Sequence, residues 1–242
     1  MTTVHENIAI VLENIAAACA RVQRDPAEIT LVAVSKTNPA DAVLEAVAAG
    51  LQHFGENRVE EAGTKIPLVS AQTDKPITWH MIGHIQSRKA KDLPSLFQVI
   101  HSVDSIGLAE KLARAAAAQD KTVDVMIQIN ISGEESKSGL EAVGWLKNNA
   151  VRDQLLQDMQ HILALPGLRM RGLMTMAPIV ETMEQTRPVF ADLAALRQNL
   201  SETLNQPLPE LSMGMTDDYP VAIEEGATLV RIGRAIFGER NP

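Results

Sequence analysis

Apolar residues recur at helical spacing from the start of the chain. Ile8, Val11, Leu12, Ile15, Cys19 and Val22 follow Thr3-Val4-His5-Glu6, which has the spacing of a capping box, so an amphipathic N-terminal helix is predicted. Asp25-Pro26 ends it. The run Ile29 to Val34 is short and β-branched, as a buried strand is. Asn38-Pro39 then reads as a helix N-cap with proline at the first helical position, leading to a helix that stops at Gly50.

This strand, loop and helix pattern recurs. Further strands are predicted at 52–54, 78–82, 98–102, 123–131, 168–174, 210–212 and 229–233. Helical patterns lie between them, clearest at 105–119, 140–165, 184–204 and 218–226. Strands alternating with helices pair in parallel. Eight such units in about 250 residues have the dimensions of an α/β chain folded as a single (β/α)₈ barrel of the TIM type, here with an extra N-terminal helix. An open doubly wound sheet is the alternative, because the patterns at 52–54 and 210–212 are short. No linker or repeat divides the chain, so residues 1–242 are read as one domain without a C-terminal β-domain.

Composition narrows the function classes. The chain has 242 residues, 45% of them hydrophobic, enough for a sizeable core. Its formal net charge of -8 argues against a nucleic-acid surface, which needs clustered Lys and Arg. No apolar run approaches the roughly 18 residues of a membrane span, and the first apolar stretch has no basic residue before it, unlike a signal peptide. The lone Cys19 leaves no internal disulfide and reads as a small buried hydrophobe. A cytoplasmic protein is expected.

In a barrel the C-terminal strand ends carry the chemistry. Alternation places Val32, Val34 and Lys36 on one face, so an inward-facing first strand puts the Lys36 amine at the barrel mouth. Desolvation there would leave more neutral amine to attack a carbonyl. A lysine that snorkels to solvent fits this segment equally well. In the last strand Arg231 shares a face with Leu229 and Gly233, and a guanidinium inside a barrel needs an acceptor. Gly233 opens a short helix, and Ser212 and Gly214 end the seventh strand, positions where TIM barrels often bind phosphate.

The segments Ala33-Val34-Ser35-Lys36-Thr37, Phe54-Gly55-Glu56-Asn57-Arg58-Val59, Trp79-His80-Met81-Ile82-Gly83-His84-Ile85-Gln86, Ile129-Asn130-Ile131-Ser132 with Lys137-Ser138-Gly139, Arg171-Gly172-Leu173-Met174, Leu211-Ser212-Met213-Gly214-Met215 and Val230-Arg231-Ile232-Gly233 together resemble the successive motifs of the YggS/PROSC family of pyridoxal 5'-phosphate (PLP) homeostasis proteins. They run in family order over nearly the whole chain.

The resemblance implies the barrel of the alanine racemase N-terminal domain, with PLP bound covalently to Lys36 as a Schiff base. It implies that Ser212 and the backbone around Gly214, Gly233 and Arg234 bind the phosphate, that Arg231 faces the pyridine nitrogen, and that Asn57 lies near the cofactor. His84 stands where the family commonly has proline, and Arg234 where it often has threonine or serine. An arginine beside the ring nitrogen makes the ring a poorer electron sink than a carboxylate would. A racemase of this fold also needs a second base, a tyrosine from a partner subunit. The one tyrosine here, Tyr219, reads as part of a helix start capped by Asp217 or Asp218.

The expected function is therefore a monomeric PLP carrier that stores, buffers or delivers the cofactor, with apo PLP-dependent enzymes as candidate recipients. A PLP-dependent amino-acid racemase and a Schiff-base lyase acting on a sugar phosphate are the alternatives. His80, His84 and His101 are candidate proton carriers or packing residues. The basic run Arg88, Lys89 and Lys91 is a solvated face or a secondary anion site, and Lys137 a candidate for transient PLP transfer.

Overall fold

The computed structural model describes residues 3–134 and 138–239. Eight strands form a closed parallel barrel: β1 (Thr30–Val34), β2 (His53–Glu56), β3 (Thr78–Met81), β4 (Val99–Val103), β5 (Val123–Asn130), β7 (Leu168–Met174), β8 (Glu210–Met215) and β9 (Leu229–Ile232). β1 pairs with both β2 and β9, and β4 pairs with β5 to close the ring. A two-residue strand, β6 (Leu140–Glu141), extends the end of β5. The closed barrel settles the choice against an open sheet.

Around the barrel lie α1 (Val4–Arg21), α2 (Ala40–Ala48), α3 (Val59–Ser70), α4 (Leu93–Leu96), α5 (Ile106–Ala118), α6 (Asn149–Leu163), α7 (Arg187–Thr203), α8 (Tyr219–Glu224) and α9 (Arg234–Phe237). α1 has the capping box that its sequence predicts, with Thr3 and Glu6 exchanging hydrogen bonds. Among the described residues no helix is long and apolar enough to cross a membrane. The main apolar core is the layer between strands and helices, and Cys19 is buried in it.

The helix predicted from Leu140 starts later. Leu140–Glu141 instead continues the sheet, Gly144 turns the chain at φ +67°, and Asn148 caps α6 by accepting from the amides of Ala150 and Val151. That asparagine supplies the side-chain acceptor that a helix start needs. Asn38 does not cap α2; Pro39 holds the cap position, and the Asn38 side chain turns back to the Lys36 carbonyl at 3.2 Å.

Inside the barrel the lowest packing is apolar. Val32, Met126, Met174 and Leu229 form a small cluster of their own. The next inward positions are polar: His80, His101, Ser212 and Arg231 are all at most 5% exposed. Strand alternation accounts for both sets, since Val32, Val34 and Lys36 share the inward face of β1, and Leu229 and Arg231 that of β9.

Candidate functional site

The turn that carries Lys36 is built from its own backbone. The amide of Asn38 donates to the Ser35 carbonyl at 3.0 Å, which puts Lys36 and Thr37 at the two central positions. Thr37 sits at φ +65°, a region that a β-branched residue enters only under constraint.

An ionic network supplies that constraint. The Lys65 ammonium of α3 donates at 2.7 Å to the Ser35 carbonyl, to Glu56 Oε1 and to Glu61 Oε1. Glu61 Oε1 also accepts from the Thr37 amide at 2.6 Å, and Glu56 Oε1 from the Ser35 hydroxyl at 2.7 Å. Both residues flanking Lys36 are thus tied to one buried ammonium. Burial pushes the Glu56 carboxyl up from its ordinary value, against the pull of Lys65 and Ser35.

Lys36, half-buried, stands where two recesses meet at the barrel mouth. One is walled by Val34, Lys36, Gly233, Arg234 and Phe237, the other by Lys36, Thr37, Asn57, Arg58 and Glu61. Asn57 Oδ1 is buried without a hydrogen-bond partner. Such an acceptor suits a ligand donor. Gly83 packs so closely under Asn57 that a Cβ there would lie 2.3 Å from the Asn57 carbonyl oxygen, which fixes the loop that carries the acceptor.

Below the mouth, Arg231 donates to Ser212 Oγ at 2.5 Å and to the Thr175 carbonyl at 3.0 Å. Burial lowers its pKa to about 10, opposed by the more distant Asp218 carboxylate. Ser212 Oγ is also 2.7 Å from His101 Nδ1. His101 Nε2 is 2.8 Å from His80 Nδ1, and His80 Nε2 is 3.0 Å from His53 Nδ1. Burial keeps these imidazoles neutral: His80 is lowered to about 3, His101 well below 6.5, and half-buried His53 is lowered too.

The residues singled out by sequence therefore fall into two groups. Lys36, Asn57, Gly233 and Arg234 line the mouth, while Ser212 and Arg231 are bonded to each other beneath it. Gly214, at φ +91°, packs on α8, where a Cβ would lie 2.6 Å from that of Ala222. The Arg234 guanidinium pairs with Asp217, and the amides of Arg234 and Ala235, in the first turn of α9, have no acceptor inside the helix.

Tyr219 is buried, with its hydroxyl bonded to Asn14 of α1, in the outer layer. Asp218 holds the cap position of α8, but its carboxylate accepts from the Met215 amide at 2.6 Å rather than capping the helix. His84 is exposed and pairs with Asp104. Lys89 pairs with Glu60, and Arg88 donates to Gln86. Lys137 lies outside the described residues. Sequence reasoning missed Lys65, Thr175 and His53. For His53 a signal existed, an inward-parity histidine on β2 matching those on β3 and β4.

Comparison with known proteins gives this geometry its context. Residues 10–241 match the model of the family described as alanine racemase, N-terminal domain. The pyridoxal phosphate homeostasis protein of Pseudomonas aeruginosa is 44% identical over 242 residues, covering 100% of this chain and 97% of that one. That of Aquifex aeolicus is 40% identical over 235 residues, 97% of each chain. PipY of Synechococcus elongatus, solved with PLP bound, superposes with a TM-score of 0.77 at 37% identity over 94% of this chain and 100% of its own. An alanine racemase of Clostridium difficile, 14% identical with a TM-score of 0.69, shares the fold over 98% of this chain and 58% of its own. On full-length identity and a shared barrel, the chain belongs to the family of pyridoxal phosphate homeostasis proteins, built on the alanine racemase N-terminal domain.

Proposed function

We propose that this protein binds PLP at the barrel mouth as a Schiff base on Lys36 and holds it for storage, buffering or delivery, without marked turnover of amino acids. The observation that carries the reading is that Lys36 lines two recesses at the barrel mouth, one with an unpartnered Asn57 oxygen and the other at the start of α9, in a barrel whose interior holds the buried Arg231 guanidinium. That set of donors with one acceptor suits a phosphate-bearing aldehyde with a ring nitrogen. The names of its relatives, and the PLP bound in PipY, support the same ligand.

When bound, PLP would supply an aldehyde carbon for the Lys36 amine and an electron-withdrawing ring. The chain's own residues would then do the holding. The amides of Arg234 and Ala235, beside Gly233, would donate to phosphate, as the start of a helix favours an anion. Asn57 would orient the ring substituents. Arg231, fixed by Ser212 and Thr175, presents a donor and no acceptor, which disfavours a stable protonated ring nitrogen.

The role as holder rather than catalyst is supported by the outer-layer position of Tyr219, remote from the face opposite Lys36 that a second base would occupy. A monomer in the cytoplasm that passes PLP to apo-enzymes completes the proposal. Solvent deuterium exchange at Cα of candidate amino acids tests it: exchange below detection is expected, and rapid exchange dependent on Lys36 would establish a racemase instead.

A further inference from the structure

Arg231 is steered by two acceptors of different kinds. The Thr175 carbonyl, which accepts from Nη2, belongs to the backbone and cannot turn. Ser212 Oγ, which accepts from Nη1 at 2.5 Å, belongs to a hydroxyl that can. With its proton turned toward the guanidinium, that hydroxyl would be one donor facing another. Whatever sets the hydroxyl therefore sets the arginine.

Three imidazoles do the setting. The acceptor that the structure offers the Ser212 proton is His101 Nδ1, at 2.7 Å. A neutral imidazole carries one proton, so an accepting Nδ1 requires a proton on Nε2, which at His101 meets His80 Nδ1 at 2.8 Å. The same choice passes on. His80 donates from Nε2 to His53 Nδ1 at 3.0 Å, and the His53 proton lies on Nε2. His53 is half-buried at the first residue of β2, beside exposed Gln52, where water can accept that last proton.

The strand register builds the row. His80 pairs with Gly55, two residues beyond His53, and with Val99, two residues before His101, so each imidazole stands further along its strand than the last. The opposite order of protons fails at Ser212. With His53 donating to His80 and His80 to His101, the His101 proton would stand on Nδ1, and the fully buried hydroxyl would keep a proton with no acceptor there. Burial lowers the pKa of all three imidazoles, which holds each neutral with one accepting nitrogen.

We infer that His101, His80 and His53 are positioning residues for Arg231: their aligned tautomers hold the Ser212 hydroxyl as an acceptor toward the guanidinium and so fix the orientation in which Arg231 meets a ligand. No proton is transferred. The inference rests on the proposed PLP site for what Arg231 meets, a ring nitrogen, though not for the alignment itself. It accounts for a row of imidazoles beside a layer where Val32, Met126, Met174 and Leu229 fill the same barrel with apolar side chains.

Two measurements on the whole chain test it. Without PLP, protein labelled with ¹⁵N at histidine should show Nε2–H tautomers at His101 and His80. Protein labelled at arginine should show separate Nη signals for Arg231, as a guanidinium held by two acceptors gives. With PLP, titration followed by visible absorbance should show His101→Leu and Ser212→Ala each weakening affinity at least fivefold. The double variant should add less than a further twofold, since both changes delete the same contact. His101→Asn, whose side-chain oxygen can still accept from the Ser212 hydroxyl, should bind within threefold of wild type and keep the separate Arg231 signals, which His101→Leu should merge.

An Nδ1–H tautomer at His101 in the wild-type protein would overturn the alignment, whether or not the variants fold. So would His101→Leu with separate Arg231 signals and PLP affinity within twofold of wild type, or His101→Asn no better than His101→Leu. Wild-type protein that binds no PLP yet shows both tautomers and a fixed Arg231 refutes the cofactor and keeps the positioning.

Discussion

Lys65→Met isolates the clamp around Lys36. The substitution leaves the Glu56 carboxylate, fully buried and with Oε2 already unpartnered, without its counter-charge. Removing one partner of a buried pair costs about 3–5 kcal/mol. Set against a total stability of about 5–15 kcal/mol, that lowers the midpoint of thermal unfolding by about 6–20 °C for a chain of this size.

The loss should depend on pH. Without Lys65, burial raises the folded-state pKa of Glu56 further above its ordinary 4.5. A raised folded value means that the group opposes folding only when ionised, so the penalty is absent below pH 4.5 and grows as pH rises toward the folded value. Lys65→Met should therefore lie closer to wild type at pH 5 than at pH 8.

The paired variant Lys65→Met/Glu56→Leu separates stability from positioning. Replacing a buried ion pair by apolar groups is often neutral or better, so stability should recover. PLP affinity should not, because Ser35 has lost its acceptor and Glu61 the ammonium that holds it against Thr37. Denaturant unfolding and PLP titration followed by absorbance give both quantities. If Lys65→Met stays within 1 kcal/mol of wild type, about the size of a single hydrogen bond, and binds PLP equally well, the clamp has no such role.

Other outcomes follow from the same geometry. The lowered pKa values of His80 and His101 mean that stability is complete above pH 6.5 and falls as pH drops below it, by about 3 kcal/mol at pH 4.5 from His80 alone. Denaturant midpoints between pH 4.5 and 7 check this, and His80→Gln with an equally steep acid loss would contradict it. Gly83→Ala forces a Cβ against the Asn57 backbone and should cost about 1–3 kcal/mol while weakening PLP binding; unchanged affinity would place Asn57 outside the site.

Much of the barrel was legible because its strands are short β-branched or apolar runs set off by helices, as at 29–34 and 123–131. The strand from Leu140 was not, since its two residues are specified by pairing with Ile129 and Asn130, a contact absent from local pattern. Lys36 and Arg231 were readable from alternation within their own strands. Arg231's acceptors were not: Ser212 lies on the adjoining strand and the Thr175 oxygen is backbone, which any residue provides. Lys65 carries no signal in the local pattern, and the docking of α3 on β1 and β2 buries it. His80 and His101 are readable as strand histidines, but their bonds to each other and to His53 are not. Their meaning comes from three strands placed side by side.

The attachment of PLP to Lys36 has a direct measurement. Purified protein incubated with PLP should absorb in the visible, and borohydride followed by peptide mapping should leave the pyridoxyl group on the peptide containing Lys36, with neither signal in Lys36→Ala. Protein that stays colourless, or a reduced adduct on another lysine with Lys36→Ala unaffected, would contradict the assignment.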